Sequence, residues 1–264
     1  MSNSVFISGA AQGIGAAIAR LFYQHGYKVG IYDRQYPAAQ QLASELGARA
    51  HAGILDVRDY AQWQAACQDF YHWAGQFNVL VNNAGVLYSG PFVDEDIHHH
   101  QHCIEVNVLG VLYGCHAAFP YLKQSQTARV INLSSAAAIY GQADLAVYSS
   151  SKFAVRGLTE ALDIEWRCHG IRVFDVMPLF VKTAMIDQMH SNSIHHLGVQ
   201  LSPEDVAQQV WTLAQRQDQA WQQSHRPVGL KSQWLYRLSG FNASLDRWAN
   251  IFFNRAHKLN RGKK

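Results

Sequence analysis

Cysteine is scarce in this chain: the 264 residues hold four, Cys67, Cys103, Cys115 and Cys168, and none stands in a C-x-x-C spacing. A disulfide framework and a cysteine-built metal site are therefore not expected, whereas reduced thiols in a cytoplasmic protein are. No Pro/Gly/Ser-rich linker divides the sequence, and there is no internal repeat, so one domain over residues 1–264 is expected. Ahead of the first apolar run, Val5-Phe6-Ile7, there is no room for a basic region and an apolar signal core. Charge of one sign is also lacking. The net +3 gives no sign of a nucleic-acid partner, and the basic excess belongs to the tail: residues 254–264 carry five Lys/Arg and no acid, leaving −2 (+3 less five) for residues 1–253. The run from His98 to His102 is the one biased segment. It lies in a polar stretch leading into a helix, without a second ligand set at standard spacing, and no metal is expected there.

What is present is alternation. The short apolar runs V5-F-I, V29-G-I-Y, A50-H-A-G-I-L, V79-L-V, V130-I-N-L and V173-F-D-V read as buried strands, with helical patterns filling the gaps between them. Such βαβ repetition gives a doubly wound, Rossmann-like α/β fold with helices on both faces of a parallel sheet. Ligands then bind beyond the carboxyl ends of the strands, where the strand order reverses.

The first strand runs into S8-G-A-A-Q-G-I-G15 and a helical A16-A-I-A-R-L-F22. Glycines there let a tight turn approach a pyrophosphate, whose charge the helix N-terminus holds. Asp33 ends the second strand, where a carboxylate accepts hydrogen bonds from an adenosine ribose and repels a 2′-phosphate. Arg34 beside it favours that phosphate. Because Gln12 adds no positive charge, NAD is preferred over NADP.

Tyr148 and Lys152 stand four apart with only serines between them, so on a helix they share one face, and the ammonium can make the phenol easier to deprotonate. With S8-G-A-A-Q-G-I-G15, L55-D-V57, N82-N-A-G85, Asn107, N132-L-S-S135, Pro178 and Thr183, this Y-S-S-S-K stretch resembles the short-chain dehydrogenases/reductases over most of the chain. The resemblance implies a sheet of about seven strands in the order 3-2-1-4-5-6-7. It implies a tetrad of Asn107, Ser135, Tyr148 and Lys152, with Tyr148 as acid/base and Asn107 anchoring a relay water. The cofactor contacts it implies are Gly9, Gln12, Gly13, Ile14, Gly15, Asp33, Arg34, Asp56, Val57, Asn83, Ala84, Gly85, Tyr148, Lys152, Pro178, Val181 and Thr183. The reaction expected is hydride transfer between an alcohol and its ketone or aldehyde.

Two departures stand out. Ser8 replaces the family's threonine, and Leu179 replaces the glycine that usually follows Pro178, so either that loop shifts or its backbone needs no positive φ. A substrate lid is expected at about 183–200. The substrate wall is expected from Ser135, Tyr140, Leu145, Tyr148, Leu179, Phe180, Met185 and Met189, which suits an apolar alcohol or carbonyl. From about residue 232, Trp234, Leu238, Phe241, Leu245, Trp248 and Phe252 form an apolar stripe ahead of the basic tail, which fits packing on a subunit or peripheral membrane contact. The family's helices at about 100–118 and 148–168 predict a homodimer or homotetramer. Alternative readings are an NADPH-dependent carbonyl or 3-oxoacyl reductase and, in another class, a non-catalytic dinucleotide sensor or scaffold.

Overall fold

The computed structural model describes residues 3–183, 201–216 and 223–239. Met185, Met189, nearly all of the expected lid, and the C-terminal stripe and basic tail beyond Ser239 lie outside the described residues.

Seven parallel strands form one sheet in the order β3-β2-β1-β4-β5-β6-β7. They are β1 (Ser4–Ser8), β2 (Lys28–Asp33), β3 (Ala50–Ile54), β4 (Val79–Asn82), β5 (Ala128–Leu133), β6 (Ile171–Pro178) and β7 (His225–Val228). Between them run α1 (Gly13–Gln24), α2 (Tyr36–Leu46), α3 (Tyr60–Ala74), α4 (Ile97–Ile104), α5 (Gly110–Leu122), α6 (Ala146–Glu165) and α7 (Pro203–Ala214), and α8 (Leu230–Leu238) follows β7. All six strands read from the apolar runs are present. The seventh escaped that reading because His225-Arg226-Pro227-Val228 contains no apolar run.

Side chains alternate across a strand, and here both faces are covered. Val5 and Ile7 of β1, Val79 and Val81 of β4, and Phe174 and Val176 of β6 enter a core with Ile18 and Phe22 of α1 and Val206 and Val210 of α7. Phe6, Leu80, Val130 and Val173 point the other way, against Trp63 and Phe70 of α3, Val111 and Leu122 of α5, and Val155 of α6. The sheet is thus sealed between two helix layers, and a small-molecule site is left to the loops at its carboxyl edge. Because β1 pairs with both β2 and β4, the chain leaves β1 to one side and β4 to the other, which opens a crevice above that pair.

One irregularity serves this edge. Between α4 and α5 the helix widens to π geometry over Glu105–Leu109, with Asn107 at its centre. Such bulges rotate the following helical face and recur at functional sites.

Candidate active site

The crevice is floored by the loop after β1. Gly9 has φ +62°, and a Cβ on it would stand 2.7 Å from the Ala84 backbone, so glycine is required on both counts. The hydroxyl of Ser8 accepts from the N–H groups of Asn83 (3.2 Å) and Ala84 (3.3 Å), and the Asn83 side-chain amide donates to the carbonyls of Ser8 (3.1 Å) and Gly9 (2.8 Å). Serine in place of threonine therefore keeps the bond that ties the β1 and β4 loops together. Gly15 is expected among the cofactor contacts but lies outside the cavity wall; a Cβ there would collide with the Gly9 carbonyl, so its role is the close packing of α1 against the loop.

A groove of about 1280 Å³ follows from this loop. Gly9, Gln12, Gly13, Ile14, Asp33, Arg34, Asp56, Val57, Asn83, Ala84, Gly85 and Thr183 all line it, as the sequence led us to expect. Three features fit a dinucleotide: the first turn of α1 holds no acidic residue, that turn faces the groove at Gly13 and Ile14, and a buried carboxylate, Asp33, closes one end. The Asp33 carboxylate accepts from the N–H groups of Ala11 (3.0 Å) and Gln35 (2.9 Å), which fixes it at the rim. Arg58 and His102 also line this groove and were not anticipated; Arg58 follows the Asp56-Val57 pair directly, the one signal available for it. Its guanidinium grips Asp56 at 2.6–3.1 Å and holds that carboxyl below the usual carboxylate range.

A second cavity meets the groove along Ile14, Asn83, Gly85, Val86 and Thr183. Ser135, Tyr148 and Lys152 line it together, with Leu145, Pro178, Leu179, Phe180 and Val181. Ser135 lies two residues beyond β5, and Tyr148 and Lys152 share one face of the first turns of α6. Ser135 Oγ accepts from the Ala137 N–H at 3.1 Å, and its hydroxyl acts on the Tyr148 phenol. Burial pushes the Tyr148 phenol up to about 12, against the lowering effect of the Ser135 hydroxyl. Burial pushes the Lys152 ammonium down to about 8. Its Nζ donates to the Leu133 carbonyl at 2.8 Å and sits 5.5 Å from the centre of the Tyr148 ring.

Asn107 is fully buried and lines neither cavity. Its amide oxygen accepts from the Val86 N–H (2.9 Å), while its nitrogen donates to the Val86 carbonyl (2.9 Å) and to Ser151 Oγ (3.1 Å). It clamps the β4 loop to α6 from beneath. Tyr140, expected in the substrate wall, is not among the residues lining this cavity; it packs on the buried cluster of Ala136, Ala138, Ile139 and Met177, against which the wall residue Leu179 also packs. Leu179 needs no glycine: among the described residues Asp144 alone has positive φ without being glycine, and the Leu179 side chain joins the wall beside Phe180 and Leu145. Leu87 and Gln142 in the same wall belong to no motif and were not anticipated. The histidine run is spent locally, His99 stacked on Tyr88 with Glu95 at 3.1 Å, and His100 stacked on Phe92.

The model of the short chain dehydrogenase family matches residues 3–194. The 3-alpha-(or 20-beta)-hydroxysteroid dehydrogenase of Mycobacterium tuberculosis is 35% identical over 209 residues, 79% of this chain and 80% of that protein. The trans-4-hydroxycyclohexanecarboxylate dehydrogenase of Sinomonas cyclohexanicum is 36% identical over 188 residues, 68% and 72% of the two chains. Among solved structures, the 3-ketoacyl-(acyl-carrier-protein) reductase from Brucella melitensis complexed with NADH superposes with a TM-score of 0.80 at 28% identity, covering 86% of this chain and 96% of that one. ElxO with NADP bound gives 0.78 at 26% identity, covering 86% and 97%. The chain belongs to the short-chain dehydrogenase family: it is an oxidoreductase that interconverts CH–OH and carbonyl groups with NAD or NADP.

Proposed function

We propose that this enzyme acts on an apolar, ring-bearing alcohol or its ketone, with Tyr148 as acid/base and NAD preferred over NADP. The observation that carries the reading is the single cavity in which Ser135, Tyr148 and Lys152 meet a wall of Leu87, Leu145, Leu179 and Phe180. A carbinol carbon gives up hydride only as its hydroxyl proton leaves, and Tyr148 is the group placed to take that proton. The nicotinamide, when bound, accepts or returns the hydride. Ser135 orients the substrate oxygen and donates to it as charge develops. Lys152 favours the phenolate by its charge. Asn107 holds the loop beneath the site through Val86. The hydroxysteroid and hydroxycyclohexanecarboxylate named for two relatives are alcohols on apolar rings, which supports the substrate class.

NAD preference rests on Asp33, whose carboxylate lines the groove, where it would accept from an adenosine ribose and repel a 2′-phosphate. The competing NADPH-dependent reductase has support in the two guanidinium groups, Arg34 and Arg58, on the same groove. Fluorescence titration with NADH and NADPH separates them: tighter NADPH binding overturns the NAD reading. Tyr148→Phe tests the chemistry, with NADH binding retained and turnover down by about a hundred-fold or more. Unchanged turnover removes Tyr148 from its role.

The same reading includes a homo-oligomer and a cytoplasmic location. Exposed Ile104 and Leu112 on the α4–α5 helix and Phe153 and Ile164 on α6 supply apolar surface for a partner copy. Leu230, Trp234 and Leu238, spaced by four on α8 and all exposed, supply the apolar face for peripheral membrane contact ahead of the basic tail.

A further inference from the structure

Beyond its reacting end, and beyond Asn83 and Thr183 where it joins the groove, the cavity that holds Ser135 and Tyr148 has one polar side chain that no motif accounts for, Gln142. Its backbone N–H is bonded to Ser149 Oγ at 3.1 Å, which anchors the residue to α6 one position beyond Tyr148. Its side-chain oxygen is shut off from solvent and has no hydrogen-bond partner. Buried polar atoms in folded proteins are paired in about nine cases of ten, and each exception calls for an explanation. Leucine or methionine at this position would fill the wall at no such penalty. The amide at the end of a glutamine turns about a broad, two-fold torsion, so either its oxygen or its nitrogen can be presented to the cavity without leaving a rotamer well.

We propose that Gln142 is a specificity-determining residue that binds a second polar group of the substrate, a hydroxyl carried on the apolar frame away from the reacting carbon. A hydroxyl both donates and accepts, and so matches whichever end of the amide turns inward. The substrate class becomes a diol or hydroxyketone on an apolar ring, rather than a simple alcohol. A site that turns one end of this amide to a substrate hydroxyl discriminates against analogues that lack the hydroxyl, because that end is then left without its partner. The expected preference is about ten-fold or more in kcat/KM. This inference rests on the apolar-alcohol reading above.

The test compares cyclohexane-1,4-diol with cyclohexanol as substrates with NAD⁺, in the wild type and in Gln142→Leu and Gln142→Asn. NADH binding and thermal melting serve as checks that each variant folds. The expected result is a wild-type preference for the diol, abolished in Gln142→Leu by faster cyclohexanol turnover as well as slower diol turnover. Gln142→Asn, with the amide set back by one methylene, should raise the KM for the diol while leaving its kcat nearly unchanged. Equal use of both alcohols by the wild type, or a preference that survives in Gln142→Leu, overturns the assignment of Gln142 and leaves the apolar-alcohol reading standing. Turnover of neither alcohol overturns that reading, and the inference with it.

Discussion

Replacing Lys152 by methionine isolates the electrostatic part of the chemistry. The ammonium lies 5.5 Å from the centre of the Tyr148 ring, and at an effective dielectric of about 20 a unit charge at that separation favours the phenolate by about 3 kcal/mol. At 1.36 kcal/mol per unit this is about two pH units. With Lys152 in place, burial already raises the phenol to about 12, so removing the cation moves the phenolate further out of reach near neutrality. The sign follows from the direction of the reaction. Alcohol oxidation needs the phenolate, its rate rises with pH until that form predominates, and losing the cation moves the rise to higher pH. In Lys152→Met the basic limb of the kcat/KM profile for oxidation should shift upward by about two units, with about a hundred-fold loss at pH 7. Profiles between pH 6 and 11 measure both. Lys152→Arg keeps the charge but not the geometry of the Leu133 bond, so it should lower the plateau and leave the limb nearly in place. If the limb stays fixed in Lys152→Met while the plateau falls, Lys152 acts by positioning alone and the electrostatic argument is wrong.

Asp33→Ala removes the charged acceptor at the adenosine end and the partner of the Ala11 and Gln35 N–H groups; NADH should bind about ten-fold or more weakly while NADPH gains relative to it, and an unchanged NADH/NADPH ratio removes Asp33 as the selector. Asp163 is buried at the end of α6, bonded to Arg172 (2.8 Å), Arg167 (2.9 Å), Ser224 (3.0 Å) and the Val173 N–H (3.0 Å). Burial alone would raise its pKa, but these donors outweigh that and hold it low, so its contribution to stability is present above the unfolded carboxyl's pKa of about 4 and is lost as pH falls through the folded value. Asp163→Asn should cost about 3–5 kcal/mol in denaturant unfolding at pH 7, with the gap from wild type narrowing below about pH 4; a gap independent of pH contradicts the linkage. Trp234→Glu with Leu230→Glu should abolish co-sedimentation with anionic vesicles while leaving NADH binding intact, and unaltered sedimentation excludes α8 from membrane contact.

Much of this architecture was legible because the five inner strands are buried on both faces and so read as apolar runs, while β3 at one edge is only partly buried. The β7 strand was not legible: it stands at the sheet edge with Arg226 exposed, and its place is fixed by pairing with β6, a tertiary fact. In the site, the legible residues are those whose chemistry demands one residue type at one spacing, such as Gly9, Tyr148 and Lys152. Wall positions carry no such demand. Tyr140 and Leu145 are five residues apart, yet Leu145 lines the cavity and Tyr140 packs on the cluster around Met177, because the path between β5 and α6 runs through a 3-10 turn that no spacing announces. Gln142, on the same segment, was overlooked for the same reason.

The π segment explains how Asn107 comes to clamp the β4 loop. In a regular α-helix from Ile97 to Leu122 the carbonyls around Asn107 would be closed by i→i−4 bonds throughout; the widened turn rotates the following residues and sets Asn107 where its amide reaches both backbone groups of Val86. Val86 lines both the groove and the cavity, so that one side chain fixes the wall the two have in common. The same amide also donates to Cys103 Sγ (3.4 Å) and to Ser151, which lies on α6 between Tyr148 and Lys152, and Ser151 Oγ in turn donates to the Tyr148 carbonyl at 2.7 Å. The β4 loop and the turn of α6 that carries the acid/base are thereby held to each other through a single buried amide. A helix deformation that weakens its own ladder is balanced by order at the place where two ligands must meet.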